Sequence, residues 1–261
     1  MRKGNRGPRW SCLPALLGAL LCCGSAQAGL IAFGGADPGA GAADPRPSSD
    51  AANTAFLNAV THPGDTLHLI TFEGLPLGGP SGDNIPITIA PGVHLSSNGL
   101  DHAPPPGFVF GLSDGPIDPK FGYNTTPGGS EFFQFAPKVG IGTATMTVSF
   151  PYQVQAIGLY LTGLGTANGD LHVMFNDGTP TDLAVTGMAS GGVQYFSFID
   201  PNKSFTSISF QLRGVTGTSR DVFGIDDVLL AVVPEPASAL LLGMGVLGLL
   251  APIGIRRLFR R

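Results

Sequence analysis

Three kinds of residue are scarce in this chain of 261 residues once its two ends are set aside, and each scarcity closes a class of function. Cys12, Cys22 and Cys23 are the only cysteines and all fall in the first 28 residues, so the body carries no disulfide, no thiol nucleophile and no thiolate metal ligand. A body of about 200 residues buries enough surface to fold without crosslinks. The single tryptophan, Trp10, lies in the same stretch, which removes the ring best suited to a sugar-stacking platform. Basic residues are the third shortage: between Gly29 and Val232 there are six, against 17 acidic ones, a formal charge of −11. The whole-chain value of −4 hides this because four basic residues sit at each end. Such a body repels nucleic acid and anionic lipid, so no nucleic-acid partner is expected.

Catalytic signatures are missing as well. His62, His68, His94, His102 and His172 show no zinc spacing, and no HExxH occurs. Ser190 stands in "GMASGG", which is not the G-x-S-x-G of a nucleophile elbow. The acids offer many carboxylate pairs, and nothing singles out one of them for glycoside hydrolysis. The chain therefore reads as a non-enzyme, with a secreted hydrolase as the weaker alternative.

What the chain does have is most legible at its ends. Arg2, Lys3, Arg6 and Arg9 precede the apolar "LPALLGALLCCG" and the small-residue site Ala26-Gln27-Ala28, the layout of a secretory leader cut by signal peptidase after Ala28. Neither Cys22 nor Cys23 follows the small residue that lipidation needs. At the other end, Ala237 to Ile255 is an uncharged run of 19 residues, which at about 1.5 Å per residue spans the ~30 Å hydrocarbon core. Arg256, Arg257, Arg260 and Arg261 follow and set the tail on the cytoplasmic side, with the body outside. In a water-soluble helix Gly243, Gly245, Gly248 and Pro252 would be costly, whereas a membrane helix tolerates them. Pro234-Glu235-Pro236 stands just before the run, an extended segment short of two amide donors and suited to a processing enzyme that reads a strand.

Together "VPEP", the apolar run and the arginine cluster, Val233 to Arg261, resemble the PEP-CTERM sorting signal of Gram-negative bacteria. The resemblance implies recognition of Pro234, Glu235 and Pro236 by an exosortase in the inner membrane, followed by cleavage and release of the body toward the cell surface or the extracellular polymer of a biofilm.

The body divides into a lead-in and a β-rich unit. Gly29 to Pro47, "GLIAFGGADPGAGAADPRP", has no sustained period and predicts a flexible linker; without Gly-Lys-Ser/Thr it is no phosphate loop. "SSDAANTAFLNAV" carries capping candidates Ser48, Ser49 and Asp50 and apolar Ala52, Ala55, Phe56, Ala59 and Val60, which predicts a short helix over 48–61. From Thr66 the period falls to two. "TATMTVSF" and "SISFQL" alternate strictly, and "TLHLITFE", "IPITI", "EFFQF", "QAIGLYL", "DLHVMF", "VQYFSFI" and "DVFGIDDVLL" are further strands between Gly, Pro, Asn and Asp turns. An all-β antiparallel sandwich, of jelly-roll type, over 48–232 is the expected fold.

Strict alternation in the last strand puts Phe223, Ile225, Asp227 and Leu229 on one face and Gly224, Asp226, Val228 and Leu230 on the other, so each aspartate interrupts an apolar face and needs a partner if buried. The early "FEGLP" strand and the closing "FGIDDV" strand resemble galactose-binding-like and carbohydrate-binding-module jelly rolls over Thr66 to Ala231. That resemblance implies neighbouring first and last strands whose carboxylates, Glu73 with Asp226 or Asp227, hold a structural calcium. The other reading of these acids is that they face solvent or cap loop amides. Phe121, Tyr123 and Tyr195 are candidate sugar contacts or core residues, and the sequons at Asn124 and Asn202 indicate exposed turns. The expectation is an exported, non-catalytic structural or adhesive protein of the surface or matrix, with a calcium-dependent carbohydrate-binding module as the alternative.

Overall fold

The computed structural model describes residues 30–60, 66–75, 86–100, 111–114, 121–165, 170–176, 182–215 and 221–232. The leader site Ala26 and Ala28, the motif Pro234 to Pro236, the run 237–255 and the terminal arginines lie outside the described residues. In chain order the elements are β1 (Ile31–Pro38), α1 (Pro47–Val60), β2 (Thr66–Ile70), β3 (Ile87–Ala90), β4 (Val93–Asn98), β5 (Gly111–Asp114) and β6 (Glu131–Phe135). They continue as β7 (Gly142–Val154), β8 (Ala156–Thr162), β9 (Asp170–Phe175), β10 (Asp182–Val185), β11 (Gly192–Ile199), β12 (Phe205–Val215) and β13 (Phe223–Val232). No helix among the described residues is long and apolar enough to cross a membrane.

The strands pair antiparallel in two sheets, one ordered β1-β11-β8-β13-β6-β5 with β2 also against β13, the other β10-β9-β12-β7-β4-β3. The fold is thus the expected antiparallel β-sandwich. The two strictly alternating segments lie side by side, with Ala144 opposite Leu212 and Val148 opposite Ile208. Their apolar residues point inward and their Thr and Ser residues outward, as a half-buried sheet requires. Between the sheets Phe175, Phe198 and Phe205 meet with ring centroids 4.0 to 5.6 Å apart, and Phe135 stacks on Phe223 at 4.7 Å.

The stretch expected to be a linker is largely structured. Ile31–Pro38 pairs along its whole length with β11, from Ile31 opposite Ile199 to Pro38 opposite Gly192. Gly35 is a packing requirement: a Cβ there would run into the Ser48 carbonyl, so the bare backbone lets α1 lie directly on the strand. Pro47 opens the helix, where its missing N–H costs nothing. The cap comes from outside the helix, because the Asp37 carboxylate accepts from the Ser48 and Ser49 amides at 3.0 and 2.8 Å. Desolvation works against the charge, yet these amides hold Asp37 below the ordinary carboxylate range. Ser49, one of the expected caps, is instead fully buried and bonds the Gly35 and Val193 carbonyls.

Ala52, Phe56 and Val60 of α1 cover the outer face of the first sheet, forming a second apolar cluster with Tyr123, Tyr160, Tyr195, Leu229 and Ala231. Gly158 makes room for this layer, since a Cβ there would collide with the Tyr195 hydroxyl and the Phe56 ring.

Candidate functional site

The site begins with an irregularity in β13. Asp226 stands opposite Tyr160 and Leu229 opposite Gly158, so the strand spends one residue more than β8 does over this step. The extra residue is taken up at Asp227, whose φ of 48° lies in the left-handed region that Asp enters more readily than most side chains. Strict alternation fails here: Phe223 and Ile225 before the bulge and Val228 and Leu230 after it all belong to the inner core, while Leu229 and Ala231 join the outer cluster. The bulge turns both Asp226 and Asp227 outward to one partner, and Thr125 Oγ1 lies 3.0 Å from the first and 2.9 Å from the second.

These acids anchor one end of the Asn124–Ser130 loop. Asp226 Oδ2 also accepts from the amides of Thr125 at 2.6 Å and Thr126 at 3.2 Å, and Asp227 Oδ1 accepts from Thr126 Oγ1 at 2.6 Å. Asp226 is completely buried and its Oδ1 has no hydrogen-bond partner. Burial, then the neighbouring Asp227 charge, push its pKa up to about 7 against the lowering effect of the loop donors. Glu73 ties the two ends together: its Oε1 accepts from Asn124 Nδ2 at 2.7 Å at the start and from the Ser130 and Glu131 amides at 3.0 Å at the finish. Glu131 reciprocates by accepting from the Leu75 amide at 3.2 Å.

Glu73, Asp226 and Asp227, singled out from the sequence, thus all serve one loop. Among the described residues no three His, Cys, Asp or Glu side chains gather closely enough to hold an ion. Carboxylates already taken up by amides and hydroxyls do not assemble the six to eight oxygens that calcium takes, so these residues do not fit that ion as a group. Asn124 is not the exposed turn its sequon suggested, since it is half-buried and bridges Glu73 to the Glu131 carbonyl. Asn202 does lie in an exposed turn. Tyr123 and Tyr195 are core residues at 1% and 2% exposure, leaving Phe121 half-buried as the remaining ring of that set.

The opposite wall is the segment leading into α1. Arg46 donates to the Thr125 carbonyl at 2.7 Å, pairs with Asp50 at 3.2 Å and lies 4.8 Å over the Tyr160 ring. Tyr160 donates to Asp50 Oδ1 at 2.9 Å and accepts from Asn53 at 3.1 Å, and the Tyr123 hydroxyl bonds the Ala40 carbonyl. Between the two walls lies an open cleft of about 440 Å³, lined among others by Asp44, Arg46, Asp50, Asn124, Thr125 and Ser130. A second pocket of about 220 Å³ adjoins it, since Thr126 and Pro127 line both. Sequence reasoning missed Arg46, Asp50 and Thr125 because each belonged to a stretch taken as linker, cap or exposed turn. The one legible signal was the pair of aspartates inside an apolar strand, which required donors from somewhere.

No protein-family profile and no curated protein matches the sequence. Among solved structures, similarity is found to family 29 carbohydrate-binding modules. One of them is 11% identical with a TM-score of 0.36, covering 67% of this chain and 97% of that one. Another, from Piromyces equi, is 9% identical with a TM-score of 0.36, covering 65% and 92%. A substituted form of such a module is 12% identical with a TM-score of 0.38, covering 64% and 92%. Similarity at this level transfers neither ligand nor site, and the chain's own strands define its sandwich.

Proposed function

We propose that this chain is a non-catalytic, exported β-sandwich that holds extracellular polysaccharide in the cleft between α1 and the Asn124–Ser130 loop. The carrying observation is the construction of that cleft. Its polar groups are fixed in advance by Arg46 from one wall and by Asp226, Asp227 and Glu73 from the other. A rim of amides, hydroxyls and carboxylates held in place suits a ligand rich in hydroxyl groups, because little ordering is left to do on binding. The leader and the C-terminal signal supply the route: export, a temporary stay in the inner membrane, exosortase processing at Pro234-Glu235-Pro236, and transfer to the cell surface or matrix.

Binding is tested by affinity electrophoresis of the full chain in detergent against neutral and charged polysaccharides. Retardation by at least one polymer, lost in Arg46→Ala, is expected; unretarded migration in every gel refutes the cleft reading. The route is tested by replacing Pro234, Glu235 and Pro236 with alanine in an exosortase-bearing host. The variant is expected to stay in the inner-membrane fraction, and its normal release would remove exosortase from the account.

A further inference from the structure

The smaller pocket beside the cleft has a different chemistry. Its walls are apolar, formed by Leu57 of α1, Leu69 of β2, Leu229 of β13 and Pro127, and Asp227 and Tyr160 also line it. Leu69 is 59% exposed, a large apolar side chain left in water at the mouth. Asp227 accepts hydrogen bonds from the neutral hydroxyls of Thr125 and Thr126, and among the described residues no Lys or Arg pairs with it. Arg46, in the adjoining cleft wall, is engaged by Asp50, the Thr125 carbonyl and the Tyr160 face. Next to Asp227 on the strand, the buried Asp226 adds a second carboxyl with an unpartnered oxygen. A largely apolar pocket is therefore lined by a carboxylate with which no Lys or Arg pairs among the described residues. At about 220 Å³ it holds roughly seven waters' worth of space, room for one sugar ring.

We propose that this pocket takes a single amino-sugar unit with a free ammonium group, its apolar ring face against Leu57, Leu69 and Leu229 and its ammonium on Asp227. The inference rests on the polysaccharide reading and sharpens it. The larger cleft holds neighbouring sugars by hydrogen bonds to their hydroxyls, and the pocket selects polymers that carry free amines. An N-acetylated unit leaves Asp227 uncompensated, and a uronate or sulfate meets like charge.

The test is calorimetric titration of the full chain in detergent at about pH 6, where a sugar amine is charged. The probes are a glucosamine hexamer, its fully N-acetylated counterpart and a glucose hexamer. The free-amine hexamer is expected to bind on the order of ten-fold tighter than the acetylated one. Asp227→Asn is expected to erase that preference, read as the ratio of the two amino-sugar affinities in the same variant, and Asn accepts the left-handed backbone as well as Asp does. Leu69→Lys, at an exposed position that leaves the loop anchors intact, brings the protein's own ammonium to the pocket and erases the preference too. Equal binding of the two amino-sugar hexamers, or a preference that survives both substitutions, overturns the pocket assignment and leaves the cleft standing. Free-amine binding that persists in Arg46→Ala supports the pocket and counts against the cleft. Failure of all three hexamers overturns the pocket assignment as well.

Discussion

The two sheets of this sandwich share an inner core and differ in what lies outside them. In β8 of the first sheet all seven residues are buried, while β7 of the second alternates between buried and solvent-facing along most of its length. The cause is α1, which covers the first sheet's outer face and converts it into a second interior. That interior accepts what an open sheet face does not: three tyrosines, a buried serine and an aspartate at zero exposure. The cleft and its side pocket lie at the edge of this cover, where α1 and the Asn124–Ser130 loop meet. A single short helix thus separates a sheet that only supports from one that also presents chemistry.

The sharpest way to break the comparison is to remove one aromatic ring from each interior. Phe198→Ala, between the sheets, is expected to cost about 3–5 kcal/mol and to raise amide exchange in both sheets. Phe56→Ala is expected to cost slightly less, about 3 kcal/mol, because α1 can settle onto the sheet, and to raise exchange in β8 and β11 but not in β7 and β12. Equal exchange in both sheets after Phe56→Ala would mean that the outer cluster is not a separate unit.

Proton linkage probes the covered face next. Burial pushes both Asp226 and Asp221 up to about 7, above the ordinary aspartate value, so the folded state binds protons that the unfolded chain releases. Stability from this source is greatest below about pH 4, where aspartate is protonated in both states, and is lost as pH rises through 7. The thermal midpoint is expected to stand about 5 °C higher near pH 5 than near pH 8. Asp226→Asn should flatten part of that slope, and an unchanged slope would place the titration elsewhere.

On the open sheet the effects shrink. The outward Thr147–Ser209 pair, 2.8 Å apart, is expected to contribute less than about 1 kcal/mol, so Thr147→Ala barely moves the urea midpoint. Smallest of all is calcium: with Glu73, Asp226 and Asp227 occupied by loop donors, saturating calcium and EDTA are expected to give the same melting curve. A calcium-dependent rise lost in Asp227→Asn would restore the metal reading.

How far the sequence disclosed this molecule follows the same division. "TATMTVSF" announced its strand because one face of β7 meets water, and the apolar runs of β8 and β11 stood out by continuity and their flanking turns. Strand β1 is hard to see because Gly34 and Gly35 interrupt it, and the clearance beneath α1 that Gly35 provides is a long-range demand without local period. Strand β4 does carry the alternation, with Val93, Leu95 and Ser97 buried, but over only six residues. The aspartates of β13 were legible as an anomaly, yet a one-residue bulge placed them together where alternation had put them apart. Their partners, Thr125 and Thr126, lie about a hundred positions away, and nothing local tied a sequon to a buried carboxylate.

The Asn124–Ser130 loop is fastened at both of its ends and open at its crest, where a Cβ on Gly128 would meet nothing within 4 Å although a φ of 77° keeps that position for glycine. Such an arrangement separates risk from opportunity. Changes at the fastenings threaten the loop as a whole, whereas insertions between Pro127 and Gly128 alter what projects over the cleft and the Pro127 wall of the smaller pocket. The space beyond the crest is therefore where a protein engineer would insert residues to change what faces the cleft without rebuilding the sandwich.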